Sequence, residues 1–536
     1  MLFSWENIPY ELLVQIFGYL PREDLISCAR VCPLWNDVMR DDCLWKPHFE
    51  REFLWWNVKP KVRHTYLDEF LFFKQHTPQR TSLVVDDFGY KLHYCVFSPH
   101  GKYIAVLGEG ANFCVYQWDP FEFLHERCLA ETLSWIKADT AQFSPDENKL
   151  MISGVRIDGS GEIVVFSICP ISLEVHFVSR TPSNPPEFSA CWFDNNHIIV
   201  GGLYIFDTSW SPLASSVSHL WLSSIPTHKH DTSNALLCPF LRFLNKGGMV
   251  KCPLIANVAS PRFRRVVQMT EQAQQEGKTL TDKLNELFMS ADIPIEGGVK
   301  ELKQILDMEQ QCFRCYLKHK SRKDDSEKNT IPPCECICHL VNHNLLIYIS
   351  GEFSERICFK LIPDELISEA LSMKRFLNNT DSQGDEDDWS FVMRRVDHPD
   401  YHIDFGGCID HISLSNDHNK IILYRQLFLS LETVEHNDRN VIRIHKVCSI
   451  DLEKMIVEPF PISGSMKPTG RSFVTSNQNF VASFSSREVF LWSRHHRGQT
   501  VRRLLLPDVI SCIALHPWDS SILTVSDMQL RIFRKQ

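Results

Sequence analysis

Cysteines in the middle of the chain have the types and spacing that could hold a metal ion. One pair stands at Cys312 and Cys315, and a second pair follows at Cys334 and Cys336. Zinc is bound by thiolate or imidazole ligands that converge tetrahedrally, and two closely spaced pairs are a usual way to supply them. The pattern therefore indicates a structural zinc site with these four ligands, and it implies no open coordination position for catalysis.

A second interpretation of the first pair needs no metal. The helical pattern of Leu302, Ile305 and Leu306 could continue through Cys312 and Cys315, which would then lie three residues apart on one apolar helix face. Cysteine behaves as a small hydrophobic residue in such a position. Both interpretations stay open at the level of the sequence, and no cofactor other than this zinc ion is expected.

The local patterns that mark catalytic sites are absent from the sequence. There is no Gly-x-Ser-x-Gly elbow, no phosphate-binding P-loop, no His-Glu-x-x-His and no kinase signature. Gly108-Glu109-Gly110 is a lone Gly-x-Gly between two strand-like segments, which is the wrong context for a dinucleotide-binding loop. We therefore predict a protein that is not itself an enzyme.

Composition restricts the partners and the compartment. The chain has 536 residues, of which 44% are hydrophobic and 23% charged, and its net charge of -10 argues against a nucleic-acid-binding body. No apolar stretch reaches the roughly 20 residues that span a bilayer, and the first residues lack the basic region of a secretory signal. Nineteen scattered cysteines are unlike the dense framework of a small secreted scaffold. We expect a cytoplasmic or nuclear protein that binds neither nucleic acid nor membrane.

The first 53 residues carry a helical period. Apolar side chains recur three and four apart from Leu12 to Leu20, and Pro21 and Pro33 separate further segments with the same spacing. Asp41-Asp42 precedes a last segment, where acids suit a helix N-terminus. A unit of three or four short helices makes a poor independent core, so some of its apolar side chains must be covered either by a partner or by the rest of the chain.

Five segments of this region occur in the order and spacing of an F-box. They are Ile8–Leu12, Ile16–Leu20, Asp24-Leu25, Val31–Trp35 and Asp41–Trp45. The region resembles the F-box family, whose helical module binds the Skp adaptor of cullin–RING ubiquitin ligases. The resemblance implies that the adaptor-binding residues are Trp5, Pro9, Glu11, Leu12, Ile16, Phe17, Leu20 and Leu25. It also implies that Trp35 and Trp45 hold the module together.

From about residue 81 the pattern changes from helical to alternating. A phrase of strand, turn and strand recurs, with its turn at Ser98-Pro99, Ser144-Pro145 and His516-Pro517. Proline presets φ for a turn and cannot stand in a central strand, so it marks the corner of each hairpin. The repeating unit of roughly 40 residues resembles the WD repeat, which implies an all-β propeller of seven or eight blades. Only Trp118-Asp119 ends a repeat with the Trp-Asp dipeptide.

The domain order predicted from these patterns has five parts. They are an F-box at 1–53, a helical linker at 54–80, a first propeller part at 81–260, a partly helical insertion with the cysteine pairs at 261–340, and a second propeller part at 341–536. Residues 378–388 form an acidic, polar stretch that we predict to be a disordered loop.

Together the two resemblances imply an F-box/WD-repeat protein. The function that this family implies is substrate recognition in an SCF-type (Skp adaptor–cullin–F-box) ubiquitin ligase, with the propeller binding the protein to be ubiquitinated. Two alternatives remain. The propeller could join a cullin-four ligase through its damage-binding adaptor, by the face around Trp492 and Arg494 of the penultimate blade, or the chain could be a scaffold without a role in degradation. The sequence names no substrate-binding residue.

Overall fold

The structure is a computed structural model that places a helical unit before a ring of β-sheets. It describes residues 8–55, 58–78, 80–186, 190–205, 216–226, 236–245, 249–259, 342–363, 366–372, 396–415, 420–431, 440–452, 456–459, 474–496 and 499–534. The predicted acidic loop at 378–388 and the whole predicted insertion at 261–340 lie outside these residues. The insertion falls between the first two strands of one sheet.

Five helices form the N-terminal unit. They are α1 (Tyr10–Phe17), α2 (Arg22–Cys28), α3 (Pro33–Met39), α4 (Asp42–Phe53) and α5 (Tyr66–His76). The first four correspond to the helical segments that the sequence predicts, and prolines begin three of them because a proline at a helix start loses no hydrogen bond. Asp41 caps α4 by accepting a hydrogen bond from the backbone N–H of Cys43 at 2.8 Å.

Seven antiparallel sheets of four strands follow, which confirms the predicted propeller and fixes its number of blades at seven. The first three blades are β2 (Leu92–Phe97), β3 (Tyr103–Gly108), β4 (Asn112–Gln117) and β5 (Glu122–Cys128); β6 (Trp135–Phe143), β7 (Lys149–Arg156), β8 (Gly161–Ile168) and β9 (Val175–Ser183); and β10 (Cys191–Trp192), β11 (His197–Ile205), β12 (Ser216–Ser224) and β13 (Leu236–Leu244). A short helix, α6 (Leu129–Leu133), connects the first blade to the second, and a 3-10 turn at Glu109–Ala111 joins β3 to β4.

The remaining blades have the same plan. The fourth to sixth are β14 (Lys251–Ala259), β15 (Asn342–Ser350), β16 (Arg356–Ile362) and β17 (Tyr401–Asp404); β18 (Cys408–Leu414), β19 (Lys420–Leu431), β20 (Asn440–Asp451) and β21 (Ile456–Pro459); and β22 (Val474–Ser476), β23 (Phe480–Ser485), β24 (Glu488–Ser493) and β25 (Thr500–Leu505). The seventh is β26 (Cys512–Leu515), β27 (Ile522–Ser526), β28 (Gln529–Arg534) and β1 (Arg80–Val85).

Strand β1 closes the ring, because it precedes the first blade in sequence yet forms the edge strand of the last. It pairs antiparallel with β28, with Val85 opposite Leu530 and Arg80 opposite Arg534. Both ends of the propeller therefore contribute to the same sheet. Closure of this kind leaves only short edges, which protects a sheet protein from edge-to-edge association.

The two ends of the ring carry different connections. At one end lie the turns that join the first strand to the second and the third strand to the fourth in each blade, and we call this end the hairpin face. We call the opposite end the loop face. Side-chain oxygens cap the first turn in several blades: Ser98 accepts from the Tyr103 N–H at 2.9 Å, Ser144 from the Lys149 N–H at 3.0 Å and Asn477 from the Phe480 N–H at 2.9 Å. The recurring serine of the sequence phrase is thus a turn cap.

The helical unit and the last two blades share one hydrophobic core. Buried side chains run without a break from Leu13 and Trp45 of the helices through Phe73 of α5 to Phe480 of the sixth blade and Phe533 of the seventh. Segment 54–80, predicted as a linker, is therefore the part that packs the helical unit onto the propeller.

Candidate functional site

Helix α1 has an inner and an outer apolar side. Leu13 and Phe17 point inward and are 0% and 1% exposed, whereas Leu12 and Ile16, one position earlier in each case, are 49% and 41% exposed. Residues four apart lie on the same face of a helix, so Leu12 and Ile16 form one outward stripe. An exposed apolar stripe on a helix whose inner face is buried is typical of a binding surface.

The same helical unit has further exposed hydrophobic side chains. Tyr19, just after α1, is 91% exposed, and Ile26 of α2 and Val31 after it are also exposed. We call these three residues, together with Leu12 and Ile16, the outer helical face. The sequence-based prediction does not include Tyr19, Ile26 or Val31 among the adaptor-binding residues. The helical period, which turns Leu25 inward and Ile26 outward, was a signal that could have indicated Ile26.

The structure divides the predicted adaptor-binding residues into two groups. Pro9, Glu11, Leu12 and Ile16 are exposed and Leu20 is half-buried. Phe17 and Leu25, by contrast, lie in the core at 1% and 0% exposure, so here they support the outer helical face from behind and do not form it. Trp5 lies outside the described residues.

The two tryptophans expected to hold the module together occupy interior positions. Trp45 is fully buried, and its indole N–H donates to the carbonyl oxygen of Met39 at 2.6 Å. Trp35 is half-buried and packs edge-on against Phe17, with ring centroids 5.0 Å apart. An edge-to-face pair of this kind stabilises a core beyond its buried area.

A different side of the helical unit attaches to the hairpin face of the sixth blade. The indole N–H of Trp55 donates to the carbonyl oxygen of Thr500 at 2.8 Å, and Phe73 of α5 packs against Phe480 with ring centroids 6.2 Å apart. The helices thus pack on the body through α4, α5 and Trp55, while the outer helical face stays exposed. The rest of the chain therefore covers one side of the helical unit and leaves the outer helical face uncovered.

A buried polar pair lies at the centre of this attachment. Oε1 of Glu69 is 2.5 Å from Nε2 of His496, and both side chains are 0% exposed. The same carboxylate accepts the backbone N–H of Val62 at 3.1 Å and of Arg63 at 2.7 Å. Burial favours a raised pKa for Glu69, but the hydrogen bonds from His496 and from the backbone outweigh it, and the pKa of Glu69 is lowered.

The tryptophan of the penultimate blade is not available as a surface contact. Trp492 is 1% exposed and stacks on Phe490 with ring centroids 5.8 Å apart. Arg494 is half-buried and donates to the carbonyl oxygen of Asn477 at 3.0 Å, and His495 is exposed beside Asn479. Of the segment considered for the damage-binding adaptor, Arg494 and His495 alone reach the surface.

Metal-binding clusters and membrane-spanning helices are absent from the part of the chain that the structure describes. Within it, no three His, Cys, Asp or Glu side chains come together as a metal site, and no helix is long and apolar enough to cross a bilayer. The lone Gly108-Glu109-Gly110 lies in the connection between β3 and β4, as the sequence predicted. The proposed zinc ligands Cys312, Cys315, Cys334 and Cys336 are outside the described residues, and the zinc site stays a prediction.

Known proteins resemble this chain in both parts. Residues 5–51 match the family described as F-box-like. Over 570 aligned residues the chain is 21% identical to F-box/WD repeat-containing protein 5 of Mus musculus, covering 97% of this chain and 92% of that protein. It is 26% identical to the Homo sapiens protein of the same name over 227 residues, which are 40% of this chain and 38% of that protein.

A solved structure similar to this one is the β-propeller domain of Cps50 (Swd1) from Myceliophteria thermophila, at a TM-score of 0.43 and 9% identity, covering 85% of this chain and 100% of that chain. The seven sheets described above establish the propeller by themselves. The chain thus carries an F-box-like domain and a seven-bladed propeller, and it resembles F-box/WD repeat-containing protein 5 along nearly its whole length.

Proposed function

We propose that this chain is the substrate-recognition subunit of an SCF-type ubiquitin ligase, in which the helical unit binds a Skp adaptor and the propeller binds the protein to be ubiquitinated. The observation that carries the proposal is the outer helical face. Leu12, Ile16 and Tyr19 stay exposed on a unit whose opposite side is anchored to the propeller. A stripe of large apolar side chains on a short helix fits the groove of a partner, which gains its affinity from a few buried anchors.

In this proposal the chain contributes proximity and no chemical step. The reactive cysteine belongs to a separate E2 enzyme, as the F-box resemblance implies. Because α5 fixes the helical unit on the sixth blade, a protein held by the propeller stays at a defined distance from the adaptor. Holding two reactants together raises their effective concentration, and this is what an adaptor subunit supplies. We propose the cytoplasm or nucleus as the compartment of this assembly.

The test measures binding of the purified full-length protein to a purified Skp adaptor. Leu12→Asp with Ile16→Asp places two charges where the adaptor would bury apolar side chains, and we expect affinity to fall by at least about a hundredfold. Ile171→Asp is the control, because Ile171 is also an exposed apolar side chain, at 92%, but lies on the propeller. Leu20 is unsuitable for substitution since it packs against the core.

If the double variant binds the Skp adaptor with the affinity of the native protein, the proposed contact surface is contradicted. No binding by the native protein would contradict the Skp-adaptor role itself. A pull-down with the damage-binding adaptor of cullin-four ligases, beside an Arg494→Glu variant, tests the first alternative. A chain that binds the Skp adaptor but supports no ubiquitination of the proteins it carries would be the non-degradative scaffold.

A further inference from the structure

A row of cations lies along the segment between α4 and α5. Lys59, Lys61 and Arg63 are exposed, whereas Val58 and Val62 are half-buried and pack against the core that the helical unit shares with the propeller. Within the described residues, none of the three cations forms an ion pair with a carboxylate. We call Lys59, Lys61 and Arg63 the basic strip. It is a local concentration of positive charge in a chain whose net charge is -10.

The buried pair at the attachment holds the basic strip in a fixed shape. The carboxylate of Glu69 accepts the backbone N–H of Lys61 at 3.3 Å and of Arg63 at 2.7 Å. The same carboxylate is bonded to His496 of the sixth blade. The guanidinium carbon of Arg63 lies 5.5 Å from the centroid of the Phe72 ring, which is within the range of a cation–π contact. A partner therefore meets side chains on an ordered backbone, which lowers the entropy lost on binding.

Carboxylates stand near the strip at the start of α5. Asp68 accepts the hydroxyl of Thr65 at 2.9 Å, and Asp42 of α4 accepts the N–H of Tyr66 at 2.8 Å. Burial first, and then the charges of Glu50 and Asp42, raise the pKa of Tyr66. These three carboxylates keep their charge, so they weaken the positive potential of the strip on the side of α5.

The sixth blade, to which the segment is attached, brings no uncompensated acid. Among the described residues of its strands and turns, Glu488 is the one acid, and it pairs with Arg503 at 3.1 Å. Arg487, Arg494 and Arg502 give the same blade a surplus of positive charge. The positive potential of the strip therefore persists on the side of the blade, where an acidic segment is attracted.

An exposed apolar side chain stands where the same segment begins. Leu54, which follows the last residue of α4, is 72% exposed and has a φ of +58°. A left-handed residue at a helix end is usually glycine, because a Cβ adds strain there. A leucine that is both strained and exposed brings the isolated protein no advantage, which points to a contact with a partner. The indole N–H of the neighbouring Trp55 donates to the carbonyl oxygen of Thr500 and fixes this position beside the sixth blade.

We propose that Leu54 and the basic strip dock an acidic segment of a partner protein, in which carboxylates pair with Lys59 and Lys61 and a large apolar side chain packs on Leu54. Five residues of chain separate Leu54 from Lys59, a span of at most about 18 Å, so a partner segment of about six extended residues reaches both. Charge-assisted bonds select the partner and the apolar contact adds affinity. A basic segment is repelled by the strip.

The test is fluorescence polarisation of the full-length protein with short labelled synthetic peptides. One peptide has glutamates around a single phenylalanine, a second has lysine in place of glutamate, and a third has serine in place of phenylalanine. We expect the first peptide to bind best and its affinity to fall as salt rises, because exposed charges are screened. Lys59→Glu with Lys61→Glu should weaken its binding by at least about tenfold.

Leu54→Gly separates binding from folding. Glycine adopts the left-handed φ without strain, so the urea midpoint should not fall. The affinity for the first peptide should nevertheless fall by about fivefold, because the apolar contact is lost. The third peptide, which has no apolar side chain, should bind the native protein and Leu54→Gly equally. Native affinity of Leu54→Gly for the first peptide would refute the part of the proposal that concerns Leu54.

Arg40→Glu with Lys102→Glu is the matched control for the charge reversal. Both residues are exposed, and the change in net charge is the same as in Lys59→Glu with Lys61→Glu, but neither lies between α4 and α5. The control should bind the first peptide with native affinity. Equal binding of the acidic and basic peptides, no binding of the acidic peptide, or native affinity in Lys59→Glu with Lys61→Glu would overturn the proposal.

Two other occupants would be revealed by the same assay. The chain has acids of its own at 378–388. If Asp385→Asn with Asp387→Asn raises the affinity for the acidic peptide by more than about tenfold, that stretch occupies the surface and the assignment to a partner is overturned. A single-stranded oligonucleotide that binds as tightly as the acidic peptide would show a surface for any polyanion, which also overturns it.

The same proteins separate this proposal from the proposed function. Leu12→Asp with Ile16→Asp should lose the adaptor and keep the peptide, whereas Lys59→Glu with Lys61→Glu should lose the peptide and keep the adaptor. The proposal goes beyond the Skp-adaptor role and does not depend on it, so failure of either one leaves the outcome of the other readable.

Discussion

Glu69 offers the sharpest test of how the helical unit is held on the propeller. Its carboxylate is fully buried and bonds at once to His496 of the sixth blade and to the backbone before α5. Glu69→Ala removes the acceptor and leaves the Nε2–H of His496 and the N–H groups of Val62 and Arg63 without it. The substitution therefore weakens the attachment between the two units and, within the helical unit, the bonds that hold the segment before α5.

The expected cost follows from these contacts. A hydrogen bond to a charged group contributes about 1.5–3 kcal/mol, and each buried polar group left without a partner costs about 1–3 kcal/mol. His496 cannot reach water because it is fully buried, whereas Arg63 is exposed and its N–H can be hydrated. We therefore expect Glu69→Ala to destabilise the attachment by about 3–5 kcal/mol, as for removal of one member of a buried pair. Glu69→Gln keeps an acceptor oxygen and should cost less.

Acid should remove the same contribution. The pKa of Glu69 is lowered in the folded protein, so its charge stabilises the fold above the unfolded pKa of about 4.3. That contribution is lost as the pH falls through the lower, folded pKa. The difference in stability between the native protein and Glu69→Gln should therefore be constant near neutral pH and should close below about pH 4.

Hydrogen exchange and urea unfolding measure the two parts of this prediction. Exchange of the amides at 61–63 should become faster in Glu69→Ala, and the urea midpoint should fall. Glu52→Ala is the control, since Glu52 forms a partly exposed ion pair with Lys74 between α4 and α5, and such pairs contribute about 0.2–1 kcal/mol. If Glu69→Ala loses no more stability than Glu52→Ala, and its amides at 61–63 exchange at the native rate, the reasoning is refuted.

Two further predictions concern the propeller and the cysteine pairs. Gly101→Ala should destabilise the protein clearly more than Gly159→Ala, because both glycines have left-handed φ values, +80° and +81°, but only at Gly101 would a Cβ lie 2.1 Å from Nε2 of His516. The left-handed strain common to both is about 1–2 kcal/mol, so equal urea midpoints for the two variants would contradict the steric part of the argument. If Cys312, Cys315, Cys334 and Cys336 hold zinc, elemental analysis of the purified protein should find one zinc ion per chain, and Cys312→Ser with Cys334→Ser should abolish it. Native protein without zinc would favour the helical interpretation of the first pair.

Part of this architecture could be predicted from the amino-acid sequence alone. Prolines and the spacing of Leu12 to Leu20 predicted the four helices, since a helical face is a property of neighbouring residues. The repeated Ser-Pro and His-Pro corners predicted a propeller for a similar reason. The strand period does not delimit the fourth blade, because β14 ends at Ala259 while its partner β15 begins at Asn342.

Other features depended on which distant segments meet. Period alone indicated an apolar face on α1 but not that Phe17 would be covered by Trp35 while Leu12 and Ile16 stayed outside. Nor could the sequence show that the segment after the F-box is an attachment and not a mere linker, because that depends on the sixth blade.

The sequence by itself determined the kinds of element and their order, because helical period, strand alternation and turn residues act over a few positions. Tertiary structure alone decided the ring closure of β1 on β28 and the pairing of Glu69 with His496, which are 427 residues apart. It also decided which apolar residues remain for a partner. Those outcomes depend on the burial that the complete fold imposes, and no local pattern encodes the identity of a distant neighbour.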